Sequence, residues 1–402
     1  MRVFIERSLK AFKELNGRPI RIGIVNRGGT ITAIANPKGK LEPLEDQKKL
    51  ERILEISELG DYKEENLLDY TIILHDPFDS SQMLDAHHMP TLQPIQVNYT
   101  NFDAFAIFNG TDTAERISRY LHFAFPYYTY SGTFERSFNA DKPIVIVSSQ
   151  ESMVVKKGRR IMTQKGNDGD ANLATFIALI AQNKAGEAGL LTNQNQVINC
   201  STVKKITPYG IPQFMRDPGV SLVAERTNSD ITFYDSAYLP RVNYRAQKVP
   251  KIIAGIDDFE ADVLSISDHA HFNSIKSYLE SRDSELSDIQ RFLRARLPKV
   301  ILYVSKGAGH IQGPEEIGLL REMIQEGIYV MRVPFAFGRI LGETKYHVPG
   351  EEVMAVNIEA VTAKYKAQAV LSLLRNSNEL SRSELFYNLM SKPFGNEFLP
   401  NS

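Results

Sequence analysis

The chain has 402 residues, with 47 basic and 48 acidic side chains and a formal net charge of −1. At roughly 150 residues per domain its length predicts two to three domains, and 43% hydrophobic with 24% charged residues excludes a disordered or collagenous chain. The balanced charge removes the generic electrostatic case for a nucleic-acid partner. The single cysteine, Cys200, excludes an internal disulfide framework and a multi-cysteine metal site.

From the N-terminus, Met1 to Arg7 lacks the apolar run of a signal peptide. No window approaches the roughly 18 uncharged apolar residues of a membrane span. The expectation is a cytoplasmic protein with no membrane partner. Short runs rich in Val and Ile then predict strands over Ile20–Val25, Tyr70–Leu74, Ala104–Phe108, Pro143–Val147, Gly189–Leu191, Val263–Ile266, Val300–Val304 and Ile328–Val333. Between them, Asp46–Leu59, Ala114–Ala124, Ala171–Asn183, Glu315–Gln325 and Glu359–Leu374 read as helices. This alternation predicts an α/β protein whose mainly parallel sheets are flanked by helices. The polar segment Ser236–Pro250, with two prolines and no periodicity, predicts a boundary. The expected layout is an N-terminal domain over 1–235, a linker over 236–249 and a smaller C-terminal domain over 250–402.

Two strand ends carry polar loops. The first strand runs into Asn26-Arg27-Gly28-Gly29-Thr30-Ile31, where paired glycines allow close backbone approach to a ligand. Open α/β sheets bind ligands at this edge. The strand Ala104–Phe108 runs into Asn109-Gly110-Thr111-Asp112-Thr113. Taken alone, the first is also an ordinary turn, and the Thr and Asp of the second also suit the cap of a following helix. Adjacent His87 and His88, with His75, lack the spacing of a helical zinc motif. Gly307, Gly309 and Gly313 miss the spacing of a dinucleotide fingerprint by one position. Cys200 has no histidine partner in its context and reads as a buried apolar residue.

Together, Gly28-Gly29-Thr30-Ile31 and Gly110-Thr111-Asp112-Thr113 resemble the two signature motifs of the bacterial-type L-asparaginase/glutaminase family, in order and at a suitable separation. Asp79-Ser80-Ser81-Gln82-Met83 is similar to the family's substrate-carboxylate loop. Asp141–Val145 resembles its next strand, Asn167–Leu173 a helix start, and Ser305–His310 a glycine-rich turn of its smaller domain. The resemblance covers about residues 20–375.

It implies hydrolysis of the side-chain amide of a small amino acid, L-asparagine foremost, through a threonine acyl-enzyme, with no cofactor and no metal. A threonine hydroxyl needs a base or a lowered pKa to act as a nucleophile. Carried over, Thr30 is the nucleophile, Thr111 lies across the substrate from it beside a lysine, and Asp112 binds the substrate ammonium. Backbone N–H groups near Gly29 and Gly110–Thr111 stabilise the oxyanion. Ser80 holds the substrate carboxylate, with Ser81 and Gln82 close by. The family pattern has a phenylalanine nine positions after its lysine; Phe214 selects Lys205 over Lys204. Family sites form between subunits, which implies a homodimer or homotetramer, with Asp268-His269-Ala270 a candidate contribution to a neighbouring site. The alternatives are a same-fold enzyme that cleaves or forms a different amide, and a non-catalytic homologue that binds an amino acid or a partner.

Four features depart from the pattern. Asn109 replaces the usual histidine of the second motif, and no tyrosine follows Thr30 before Pro43, Lys40 lying near its place. The segment 114–141 is longer, with the aromatic stretch Phe123–Tyr130 read either as an interface or as a satellite core. The segment Glu151–Gly166 is also extended, and its Lys156-Lys157-Gly158-Arg159-Arg160 run reads as a solvated loop, a localisation signal or an anion-binding patch.

Overall fold

Runs of Val and Ile make strands that are buried on both faces, and the computed structural model arranges them in two compact units, Met1–Ile252 and Ile253–Ser402. It describes residues 2–35, 41–42, 44–79, 83, 87–125, 128–130, 134–136, 142–158, 160–164, 166–182, 188–207, 214–216, 222–227, 230–234, 253, 256–266, 299–305, 314–325, 327–334, 353–356, 358–375 and 379–391. The expected linker 236–249 lies outside them, as do Asp268–Ala270 and Lys306–His310.

In the first unit an eight-stranded sheet runs from edge to edge in the order Ile231–Phe233, Ala224–Arg226, Gln196–Asn199, Ala188–Asn193, Ile144–Val147, Ala104–Phe108, Ile20–Gly28 and Leu68–Phe78. The last five of these are parallel; the three before them attach by antiparallel ladders. Alternate residues divide the core. Ala104, Ala106 and Phe108, with Val145 and Val147, join a cluster that also holds Ile20, Ile22 and Ile24 and the helices Arg2–Asn16, Gln47–Glu55 and Asp168–Ala181. The intervening Phe105, Ile107, Ile144 and Ile146 are equally buried but lie outside it, so both sheet faces are covered.

Local chemistry sets the boundaries. Ile5, Leu9 and Phe12 form the buried stripe of a helix over Arg2–Asn16 that the sequence reading did not anticipate. The single helix expected over Asp46–Leu59 is two helices, Gln47–Glu55 and Glu58–Glu64. The break is at Ser57, whose hydroxyl donates to the Leu54 carbonyl and accepts from the Leu59 N–H, competing with the helical ladder. Asn167 caps the helix Asp168–Ala181 through the Asp170 N–H.

The extended segment after Glu151 is a hairpin, Val154–Lys157 against Arg160–Thr163, with Lys156, Lys157 and Arg160 exposed. It pairs with Ile34–Ala35, just beyond the first polar loop. Phe123 and Phe125 are buried, which favours the satellite-core reading for the start of the aromatic stretch.

In the second unit, Val263–Ile266, Val300–Ser305 and Tyr329–Pro334 form a parallel three-stranded sheet in that order. Ile301, Tyr303, Leu320, Met323 and Val330 sit in its core, which includes residues of the helix Pro314–Gln325. Helices Ala360–Leu373 and Glu379–Ser391 follow. Among the described residues no helix is long and apolar enough to cross a membrane.

Candidate active site

The strand Ile20–Gly28 ends in two glycines with φ of +85°, a region that L side chains rarely adopt. Gly29, with ψ 175°, then opens the short 3-10 turn Thr30–Thr32. Asn26 fixes this turn from beneath. Its Oδ1 accepts from the Gly28 N–H at 3.1 Å and from Thr32 Oγ1 at 3.3 Å, while its Nδ2 lies 3.0 Å from His75 Nδ1. Thr30 is partly exposed, and among the described residues no group hydrogen-bonds its hydroxyl.

The second loop arrives from the neighbouring parallel strand, Ala104–Phe108. A helix was expected to begin at Ala114; it begins at Thr111, with Gly110 as N-cap and no side-chain cap. Thr111 and Asp112 therefore occupy the first turn instead of capping it. Gly29 lies directly against Gly110: a Cβ built on Gly29 would fall within the Gly110 backbone and 2.8 Å from the Asn109 carbonyl carbon. The two motifs are in contact.

Lys205 reaches the same place from a two-stranded ladder in which it pairs with Phe214. Its Nζ donates to Asp112 Oδ1 at 2.6 Å and to Thr111 Oγ1 at 3.4 Å. The ion pair is only partly buried. The Lys205 side chain is 17% exposed, but that of Asp112 is 57% exposed. Most of the lysine's stem is covered while the aspartate faces solvent.

Asn109, in the place of the motif's usual histidine, is buried, and its Nδ2 donates to the Gly110 carbonyl at 2.7 Å and to Thr113 Oγ1 at 3.2 Å. Thr113 Oγ1 in turn contacts Met83 Sδ at 3.4 Å. Met83 thus ties the chain beyond 80–82 to the second motif. Ser80, Ser81 and Gln82 themselves lie outside the described residues.

The histidines are engaged separately: His75 with Asn26 and the Glu45 carbonyl, His87 against Phe78, and His88 against Tyr120. Among the described residues no group of three or more His, Cys, Asp or Glu is placed to hold a metal.

A match to the asparaginase N-terminal family model extends over residues 21–238, more than half of the chain. The chain belongs to the asparaginase family. As a member of it, the protein is a hydrolase of amide carbon–nitrogen bonds. Among solved structures it resembles L-asparaginase I of Vibrio cholerae, with a TM-score of 0.67 and 18% identity over 94% of this chain and 99% of that one. The thermostable L-asparaginase of Thermococcus kodakarensis gives 0.65 and 16% over 95% and 100%. A probable cytoplasmic L-asparaginase of Campylobacter jejuni gives 0.58 and 18% over 91% and 99%. No curated protein sequence matches the chain significantly.

Sequence reasoning missed two charged groups around this asparaginase-family site. Arg27, next to the glycine pair, is 1% exposed, with Nη1 2.6 Å from Asp76 and its guanidinium 4.5 Å from the Phe78 ring. Burial pulls this guanidinium below its usual pKa, and Asp76 opposes the shift. The other is the pair Glu115 and Arg119, in the helix that Thr111 begins. Neither has a sequence signal beyond an ordinary charge pattern.

Proposed function

We propose that this asparaginase-family hydrolase cleaves the side-chain amide of a small amino acid, L-asparagine foremost, through a threonine acyl-enzyme. The observation that carries the reading is Lys205 Nζ lying between Asp112 Oδ1 and Thr111 Oγ1 at the point where Gly29 abuts Gly110. Thr30 Oγ1 attacks the amide carbon. The tetrahedral oxyanion collapses, the C–N bond breaks, and the amide nitrogen takes up the proton lost by the Thr30 hydroxyl and leaves as ammonia. Water then cleaves the ester and regenerates the hydroxyl. Thr111 supplies the second hydroxyl: neutral Nζ takes its proton as Thr111 takes one from the attacking water, and both protons are given back as the ester is cleaved and Thr30 regenerated. The Asp112 carboxylate then holds the resulting ammonium through a charge-assisted hydrogen bond. Its exposed side is left for the substrate ammonium.

Helix geometry supports the same reading. The first N–H groups of the helix that begins at Thr111 have no intrahelical carbonyl to pair with, and they favour developing negative charge nearby.

Ammonia release from asparagine, glutamine and larger amides tests the proposal. Thr30→Ala is expected to keep the wild-type melting temperature and to lose turnover by about 10³-fold or more. Wild-type rates from folded Thr30→Ala would refute the nucleophile, and no ammonia from any amide would refute the proposed function.

A further inference from the structure

The backbone of Lys205 is anchored by the same helix that receives its ammonium. Its N–H donates to Glu115 Oε2 at 2.9 Å. The other oxygen of that carboxylate accepts from Arg119 Nη2 at 3.2 Å. The Arg119 side chain is 0% exposed; its Nη1 donates to the Ser201 carbonyl and its Nη2 to the Val203 carbonyl, each at 2.7 Å. Three consecutive anchors, at 201, 203 and 205, therefore come from one ion pair.

The spacing explains how. Thr111, Glu115 and Arg119 are four residues apart and share one face of the helix Thr111–Ala124. That face holds both ends of Lys205: the main chain through Glu115, and Nζ through Thr111 and its neighbour Asp112. An exposed i,i+4 pair adds little to the stability of a helix. Helix stability alone does not explain an arginine that is fully buried and directed at two carbonyls of another segment. The Nζ–Thr111 distance of 3.4 Å is already near the outer limit of a hydrogen bond, so slippage of the lysine backbone by roughly 0.5 Å is enough to break it.

We propose that Glu115 and Arg119 are positioning residues that set the register of Lys205 against Thr111. The inference rests on the reading of Lys205 as the group that accepts the Thr111 proton. Glu115 and Arg119 both act through the lysine main chain.

The test uses the full chain, with kcat and KM on the amide that the wild type turns over and a melting temperature for every variant. Glu115→Ala is expected to lower kcat about 10- to 100-fold, the penalty for misplacing a catalytic group by about 1 Å, with KM within about threefold. Glu115→Gln keeps an oxygen for the Lys205 N–H and is expected to recover most of kcat. Glu115→Asp keeps the charge but is one methylene too short; it is expected to resemble Glu115→Ala, and it carries the same test should Glu115→Ala fail to fold. In a Lys205→Ala background supplied with propylamine, the untethered amine has no main chain to position, so adding Glu115→Ala is expected to change the rescued rate less than about twofold.

Wild-type turnover from Lys205→Met would overturn the lysine reading and this inference with it. Should Lys205→Met be inactive while Glu115→Ala and Glu115→Asp keep kcat within about twofold of wild type, only the positioning inference falls. It falls equally if Glu115→Ala costs as much in the amine-rescued background as in the wild type.

Discussion

Replacing Gly29 by alanine tests whether the contact between the two motifs controls catalysis. Two costs arise from the structure. At φ +85° and ψ 175° the residue occupies a region that is essentially glycine-only, at about 1–3 kcal/mol for any other residue. The added Cβ would also meet the Gly110 backbone and lie 2.8 Å from the Asn109 carbonyl carbon, whereas carbon atoms rest about 3.5–4.0 Å apart. One loop must move by about 1 Å, and neither can yield at a flexible side-chain tip. A melting-temperature loss of about 5–10 °C is expected, together with a fall in kcat of about 100-fold. Gly17→Ala is the control. Its φ is +68°, but nothing lies within 4 Å of the new Cβ, so it carries backbone strain without the clash and should keep wild-type kcat. Calorimetry and ammonia release on the two variants separate strain from displacement. If Gly29→Ala matches Gly17→Ala in kcat, the packing of Gly29 on Gly110 has no part in the chemistry and the argument fails.

Lys204 and Lys205 pair with Met215 and Phe214 in an antiparallel ladder, so their side chains leave opposite faces. Lys205→Met is expected to abolish turnover and Lys204→Met to preserve it; the reverse result in an ammonia assay would shift the lysine assignment by one residue. Burial, aided by the nearby Glu55 and Asp69 carboxylates, pushes the Tyr70 phenol up to about 12. In the unfolded chain that phenol ionises near pH 10. Its contribution is therefore complete below about pH 10 and is lost as the pH climbs through about 12, some 2–3 kcal/mol over the window. Urea melts at pH 9 and 11.5 should show Tyr70→Phe losing less stability than wild type, and an equal loss would contradict the shift. If the site is shared between subunits, as the family resemblance implies, specific activity should fall on dilution in step with dissociation followed by sedimentation; a fully active monomer would exclude this.

The strands of the parallel region were legible because burial on both faces demands continuous Val and Ile, and Ala104–Phe108 and Val263–Ile266 lie where the composition puts them. The antiparallel edge was not legible. Ala224–Arg226 and Ile231–Phe233 have three residues each, too few for periodicity to register, and their pairing depends on neighbours distant in sequence. The helix Arg2–Asn16 does carry a readable apolar stripe, but the first seven residues alone, tested against a signal peptide, span less than two of its turns. Ser57 splits a helix because a hydroxyl competes for its own backbone, a choice that composition leaves open.

The site was legible where it depends on backbone geometry and illegible where it depends on packing. Paired glycines at a strand end announce a close approach, and Lys205 with Phe214 nine residues later matches the two strands of a ladder. The helix start at Thr111 was obscured because Thr and Asp ordinarily serve as caps. Here the cap is Gly110, against whose backbone Gly29 lies, and a glycine cap in place of Ser or Asp costs only a few tenths of a kcal/mol. That small loss leaves the first-turn amides unclaimed by any cap side chain and releases Thr111 and Asp112 to meet a lysine more than ninety residues away, at 3.4 and 2.6 Å. Glycine at position 110 thus accompanies both the contact with Gly29 and a first turn open to Lys205. On the proposed mechanism, a residue better suited to capping would stabilise the helix while claiming the first-turn amides that favour developing negative charge.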